Sequence, residues 1–152
     1  MILNKSGLVS FPATNDNSGY LLTGFAESDI SPEIGMEQPS GYLKSFHKSF
    51  HDPCKARAAV FDDGKKLAAI AGIDAYSVPR WLVLSVRKKV QEKCGIPAEA
   101  ILIAASHSHS SGPIGTVYEG DYDHAGPLVR SLAYDKSPNA DPKYMELVKA
   151  QL

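Results

Sequence analysis

The chain has 152 residues, enough for one domain with a buried core, and 43% of them are hydrophobic, as in soluble globular proteins. Sixteen basic residues against seventeen acidic ones leave a formal charge of -1, and the longest basic run is Arg87-Lys88-Lys89, which argues against a nucleic-acid partner held through its phosphates. No apolar segment reaches membrane-spanning length, Met1 to Tyr20 lacks the charged-then-apolar order of a secretory signal, and the distant Cys54 and Cys94 form neither a disulfide framework nor a zinc ribbon.

Residues 1 to 22 alternate weakly between polar and apolar around Asn15-Asp16-Asn17-Ser18-Gly19, which predicts a turn with a strand on either side. Leu22 to Ile30 reads as a strand closed by Ser31-Pro32, because proline removes a ladder donor. Residues 31 to 53, broken by Pro32, Gly35, Pro39, Gly41 and Pro53, read as a long irregular loop of the kind that often carries function. A hairpin follows: Lys55 to Phe61 and Lys66 to Ile73 flank Asp62-Asp63-Gly64-Lys65, where Asp63-Gly64 supplies the positive backbone angles of a tight turn. The second arm is apolar on both faces, so it is expected inside the sheet. Asp74 at its tip reads first as a turn former or helix cap, and second as a carboxylate that orients an imidazole.

A helix is predicted from about Val78 to Cys94, capped by Ser77, with Pro79 in its first turn and Gly95 then Pro97 at its end. Leu82, Val83, Val86 and Val90 form its buried stripe, Arg87, Lys88, Gln91 and Glu92 face water, and Trp81 reads as a packing residue. The branched run Ala100 to Ala105 is the next strand, so strand, helix and strand make a crossover between parallel strands, right-handed by default. The expected fold class is α/β, a mixed sheet with a β-hairpin and a strand-helix-strand crossover, and residues 1–152 read as a single partial domain. Asp141 to Leu152 opens like a helix, with an N-cap Asp, Pro at the first position and an apolar stripe of Tyr144, Leu147, Val148 and Leu152. It lacks a terminating signal and reads either as a short docked helix or as one cut from a longer protein.

The most informative stretch follows the Ala100 to Ala105 strand: Ser106-His107-Ser108-His109-Ser110-Ser111-Gly112-Pro113. This is a loop at a strand end, beside Asp74 at the neighbouring strand end, where open α/β sheets place their sites. If His107 and His109 stay extended, both rings lie on one face and can turn toward a single point, as metal ligands do. The serines are candidates for fixing the ring tautomers. His-x-His supplies two ligands at most, catalytic zinc generally takes three protein groups, and His47, His51 and His124 have no diagnostic spacing. A serine nucleophile activated by a histidine is a lesser alternative, without the G-x-S-x-G elbow or an identifiable acid.

These residues resemble, in order, the start of the catalytic domain of the neutral/alkaline (non-lysosomal) ceramidases. Gly24-Phe25-Ala26-Glu27-Ser28-Asp29-Ile30-Ser31-Pro32 resembles the family's opening Gly-x-Ala-x-x-Asp-Ile-Thr-Pro, and Ser40-Gly41-Tyr42 its following Gly-Tyr. His51-Asp52-Pro53 and Ala56-Arg57-Ala58 are similar to its His-Asp-Pro and Ala-Arg-Ala elements, and the loop from Ser106 to Pro113 to its His-Thr-His-Ser-Gly-Pro signature, with one extra serine. The resemblance implies that His107 binds a catalytic zinc, that His109 lies beside the scissile amide and holds the reacting carbonyl, and that Gly41 lines the same pocket. It implies hydrolysis of a lipid or other N-acyl amide, ceramide-like, to a fatty acid and an amino alcohol, with peripheral contact to a membrane. Members of the family often act outside the cytoplasm. Their remaining zinc ligands, another His, a Glu and a Tyr, lie downstream of the residue matching Leu152, so this chain is expected to be an N-terminal portion that does not complete the zinc site by itself. Two readings from other classes stand beside this one. One is a non-catalytic α/β binding domain with a polar histidine loop; the other is a small metal-binding protein that closes its site with His51, His124 or a second chain.

Overall fold

The computed structural model describes residues 8–11, 21–39, 41–115 and 117–152. Five strands form one mixed sheet in sequence order: β1 (Leu8–Phe11), β2 (Leu21–Asp29), β3 (Lys55–Asp62), β4 (Leu67–Ile73) and β5 (Ile101–Ala105). The first four run antiparallel to their neighbours, and β5 lies parallel to β4, with Ile73 opposite Ala105. Helix α1 (Arg80–Cys94) carries the chain across between β4 and β5. The α/β class, the hairpin, the crossover and the strands on either side of residues 15–19 are therefore present; the turn at 15–19 lies outside the described residues.

Local chemistry shapes each connection. The β3–β4 hairpin closes through residues Asp63 to Lys66, because Asp62 pairs with Leu67. Only Gly64 takes a positive φ, +80°, where the two-residue turn expected from Asp63-Gly64 needs two such angles. The Asp63 carboxylate instead accepts the Lys65 and Lys66 amides at 2.8 and 2.7 Å, which stabilises a wider loop. Helix α1 begins two residues later than Val78, since Pro79 is extended with ψ 145°, and no side chain, Ser77 included, caps it. The Leu82 and Val83 amides bond the Pro79 carbonyl instead. At the far end Gly95 adopts φ +72° and its N–H reaches the Gln91 carbonyl, the left-handed termination expected of glycine.

The core lies on one face of the sheet. Ala56, Ala69, Ala71, Ile73, Ile101 and Ile103 are buried there under Leu82 and Val86 of α1 and Tyr144 and Val148 of α3 (Pro142–Gln151). Full burial of Leu82 or Val86 contributes about 1.5–3 kcal/mol each. Asp141 caps α3 by accepting the Lys143 and Tyr144 amides, as its N-cap position predicts. The opposite face of the sheet carries exposed Phe25, Ile70 and Leu102, so β4 is interior in strand order yet buried on one side only. Trp81 is also exposed rather than packed, and Arg87 is half-buried rather than solvated.

Residues 31–53 hold no long element, as expected, yet they are organised. They run out and back through a Glu37–Phe46 bridge and paired backbone bonds between Gly35 or Met36 and His47 and between Gln38 and Ser45. A short helix α2 (Pro127–Arg130), continued by a wide turn at Ser131–Lys136, offers the Lys136 carbonyl to Lys44 of this excursion.

Candidate functional site

The parallel ladder does not stop where β4 and β5 do. Ser106 N–H bonds the Ile73 carbonyl at 2.9 Å and Ser108 N–H bonds the Ala75 carbonyl at 3.1 Å, so residues 74–76 and the histidine loop continue side by side. Between those bonds the backbone turns. His107 takes φ +63°, the one left-handed non-glycine residue among those described, a conformation uncommon outside glycine and concentrated at functional sites. The two histidines are therefore not presented by an extended strand, as the i, i+2 spacing suggested; a left-handed residue brings their rings together.

The rings form a cluster with Tyr76. His107 stacks on Tyr76 with centroids 4.5 Å apart, and His109 stands edge-on to both at 5.1 Å. His107 Nδ1 lies 2.9 Å from the Tyr76 carbonyl oxygen. A carbonyl only accepts, so in the neutral ring Nδ1 carries the proton and Nε2 carries the lone pair. A backbone carbonyl, not a serine hydroxyl or Asp74, sets this tautomer. Asp74 accepts the Lys55 amide at 3.0 Å and Arg57 at 3.3 Å, closing the open end of the β3–β4 pair. It acts as a ladder-end acceptor, close to the turn-forming role and remote from the imidazole-orienting one.

Behind the rings the loop is held by buried groups. Ser111, fully buried, accepts the Tyr76 amide at its hydroxyl and donates that hydroxyl to the Ser108 carbonyl. Its own carbonyl accepts Nε2–H of His47, a 2% exposed residue whose ring lies tilted against Phe50 with centroids 4.7 Å apart. Gly112 is needed because a Cβ there would overlap the Tyr144 ring. Tyr144 in turn donates its phenol to the Ile30 carbonyl at 2.7 Å, and burial pushes its pKa well above the ordinary tyrosine range.

An open cleft of about 480 Å³ lies between this loop and residues 47–54, lined in part by His47, His51, Cys54, Asp74, Ser108 and Ser110. Burial raises the Cys54 thiol pKa, helped by the charges of Asp74 and Asp29. Gly41 is on the exposed part of the excursion and does not line this cleft; a Cβ there would lie 2.7 Å from the Leu43 carbonyl oxygen. His51 is exposed and paired with Asp52, and His124 is exposed. Among the described residues no three His, Cys, Asp or Glu side chains converge as a metal cluster. His47 and Tyr76, the residues that shape the site from behind, have no motif that singles them out.

The architecture that emerges, a mixed sheet with one parallel pair among the described strands, is similar in fold to part of two solved ceramidase structures. The structure is similar to neutral ceramidase from Pseudomonas aeruginosa, with 17% identity and a TM-score of 0.63 over 90% of this chain and 20% of that one. It is also similar to a ceramidase complexed with C2, with 18% identity and a TM-score of 0.65 over 89% of this chain and 20% of that one. The chain spans about a fifth of the length of these structures, and at such identities the likeness is one of fold. No protein-family model and no curated protein sequence matches the chain. Among the described residues no helix is long and apolar enough to cross a membrane.

Proposed function

We infer that this chain is part of a zinc-dependent amide hydrolase of the ceramidase type, cleaving a ceramide-like N-acyl amide to a fatty acid and an amino alcohol. The observation that carries the reading is the state of His107, whose Nδ1 is engaged by the Tyr76 carbonyl so that Nε2 is left as the ligating nitrogen, on a fold like that of ceramidase. Metal-binding histidines are held in this way, through the second nitrogen.

The donor set on this chain fits one ligand of a zinc site. His107 would supply it, and the resemblance gives the others to a His, a Glu and a Tyr of the longer relatives. Zinc, when bound, lowers the pKa of its water and polarises the amide carbonyl. His109 stands perpendicular to His107 across Tyr76; its role is to donate a ring N–H to the reacting carbonyl oxygen and to hold the charge that develops there. Tyr76 is in ring contact with both imidazoles. Gly41 stays outside the cleft, on the exposed part of the excursion, where exposed Tyr42 and Leu43 follow it in sequence. A lipid substrate brings that tip to a membrane surface, and these two side chains are suited to enter its interface.

Metal analysis of the full-length protein tests the reading. Stoichiometric zinc is expected in the wild type, and His107→Ala should lose it while far-ultraviolet circular dichroism is preserved. Zinc retained at full stoichiometry after that substitution refutes the assignment.

A further inference from the structure

Four serines lie in the histidine loop, and three of them, Ser106, Ser108 and Ser110, are exposed or half-buried. Ser111 is different. It has no exposed surface, and it makes three hydrogen bonds, one within its own loop and two to other segments: Tyr76 N–H to its hydroxyl at 3.1 Å, its hydroxyl to the Ser108 carbonyl at 3.0 Å, and His47 Nε2 to its carbonyl at 2.9 Å. The first of these matters most, because Tyr76 is the residue whose carbonyl takes the Nδ1 proton of His107 and whose ring stacks on it. A hydroxyl thus grips one side of Tyr76 while an imidazole leans on the other.

We propose that Ser111 is the positioning residue of the site, holding Tyr76 so that His107 keeps Nδ1 protonated and Nε2 open to a metal. The proposal deepens the zinc-hydrolase reading and rests on it for the metal, though not for the tautomer. Geometry supports the role. Without the Ser111 hydroxyl, the Tyr76 amide and the Ser108 carbonyl both lose a buried partner, and the segment that carries the Tyr76 carbonyl has reason to rotate toward water. His107 would then lose the acceptor that fixes its proton. The ring would exchange between its two neutral tautomers, only one of which presents Nε2. Partners that orient a metal-bound histidine typically change metal affinity by about 10–100-fold when removed.

Two readouts on the full-length protein test this. The first is the tautomer of metal-free His107, read from ring nitrogen chemical shifts at a pH where the spectrum itself shows the ring to be neutral. Wild type should show almost entirely the Nδ1–H form, and Ser111→Ala a mixture of the two. The second is zinc affinity, which should fall about 10–100-fold in Ser111→Ala, with Ser111→Thr recovering most of it. His47→Gln is the control, since it loosens the same loop from behind without touching the hydroxyl; it should lower stability yet leave the tautomer as in wild type. A folded Ser111→Ala with the wild-type tautomer overturns the proposal, as does an equal tautomer shift in His47→Gln, which would reduce Ser111 to general support of the loop. If Ser111→Ala does not fold, Ser111→Cys weakens both hydrogen bonds in similar volume and should shift the tautomer part of the way toward the mixture, and a wild-type tautomer there overturns the proposal. A wild type that binds no zinc but shows the tautomer shift in Ser111→Ala would sink the hydrolase reading and leave the positioning role standing.

Discussion

Replacing Gly112 by alanine tests whether α3 clamps the histidine loop. An alanine Cβ would lie 2.6 Å from Cε1 of Tyr144 and closer still to Cζ and Cε2, whereas carbon atoms pack at about 3.5–4.0 Å. One partner would have to retreat by roughly 1.5 Å to restore that spacing. Tyr144 has nowhere to go: it is 1% exposed, and its phenol and its amide are both bonded, to Ile30 and to Asp141. The loop is equally fixed, by buried Ser111 on one side and on the other by Pro113, whose carbonyl accepts the Asp141 amide at 2.8 Å. Overpacking in such a place typically costs about 1–3 kcal/mol, and disturbing the Tyr144–Ile30 hydrogen bond adds about 1 kcal/mol. The expected loss is therefore about 2–4 kcal/mol. For a chain of this size that lowers Tm by roughly 4–16 °C, at about 2–4 °C per kcal/mol. Urea unfolding of four proteins, wild type, Gly112→Ala, Tyr144→Ala and the double variant, isolates the clash. With the ring gone, Gly112→Ala should cost less than about 0.5 kcal/mol. A cost that small in the otherwise wild-type chain would refute the clamp.

Two further outcomes follow from local geometry. Asp141→Ala removes the side-chain cap on the Lys143 and Tyr144 amides and should cost about 1 kcal/mol, read as a lower urea midpoint with an unchanged slope; no shift would mean that the cap adds nothing to docking of α3. The amides of Lys66 and Lys65 hold the Asp63 carboxyl below the usual carboxylate range. A depressed folded-state pKa means that the order it gives the hairpin is complete above the unfolded value of about 3.9 and is lost as pH falls through the lower folded one. The Lys66 amide resonance should report that titration and lose it in Asp63→Asn, while an Asp63 midpoint at or above the ordinary value contradicts the geometry.

Features written in neighbouring residues were legible in the sequence. The Gly95 stop, the Asp141 cap followed by Pro142, the hairpin and the crossover each depend on contacts a few residues long or on a periodicity that survives in the fold. The tightness of the hairpin turn was misread because Asp63 satisfies two amides with its side chain and so favours a wider loop. Ser77 was a plausible cap on residue type, yet the extended Pro79 takes the position. At the site, the Ser106–Pro113 loop and its place at a strand end could be read from an apolar run meeting a polar cluster. Its interior could not. The left-handed turn at His107, the Tyr76 carbonyl and the buried His47 arise from segments brought together by tertiary packing, Tyr76 and His107 being 31 positions apart in sequence and His47 and Ser111 64. Asp74 drew attention as a carboxylate at a strand tip, and only the positions of Lys55 and Arg57 reveal that its bonds are spent on the sheet.

The clamp on Gly112 and Ile30 comes from a tyrosine that lies downstream of both. During synthesis, then, the histidines leave the ribosome before the ring that shapes their loop has been made. Until Tyr144 emerges, the loop has only the upstream Tyr76 and His47 to hold it, so maturation of this corner waits on the arrival of α3.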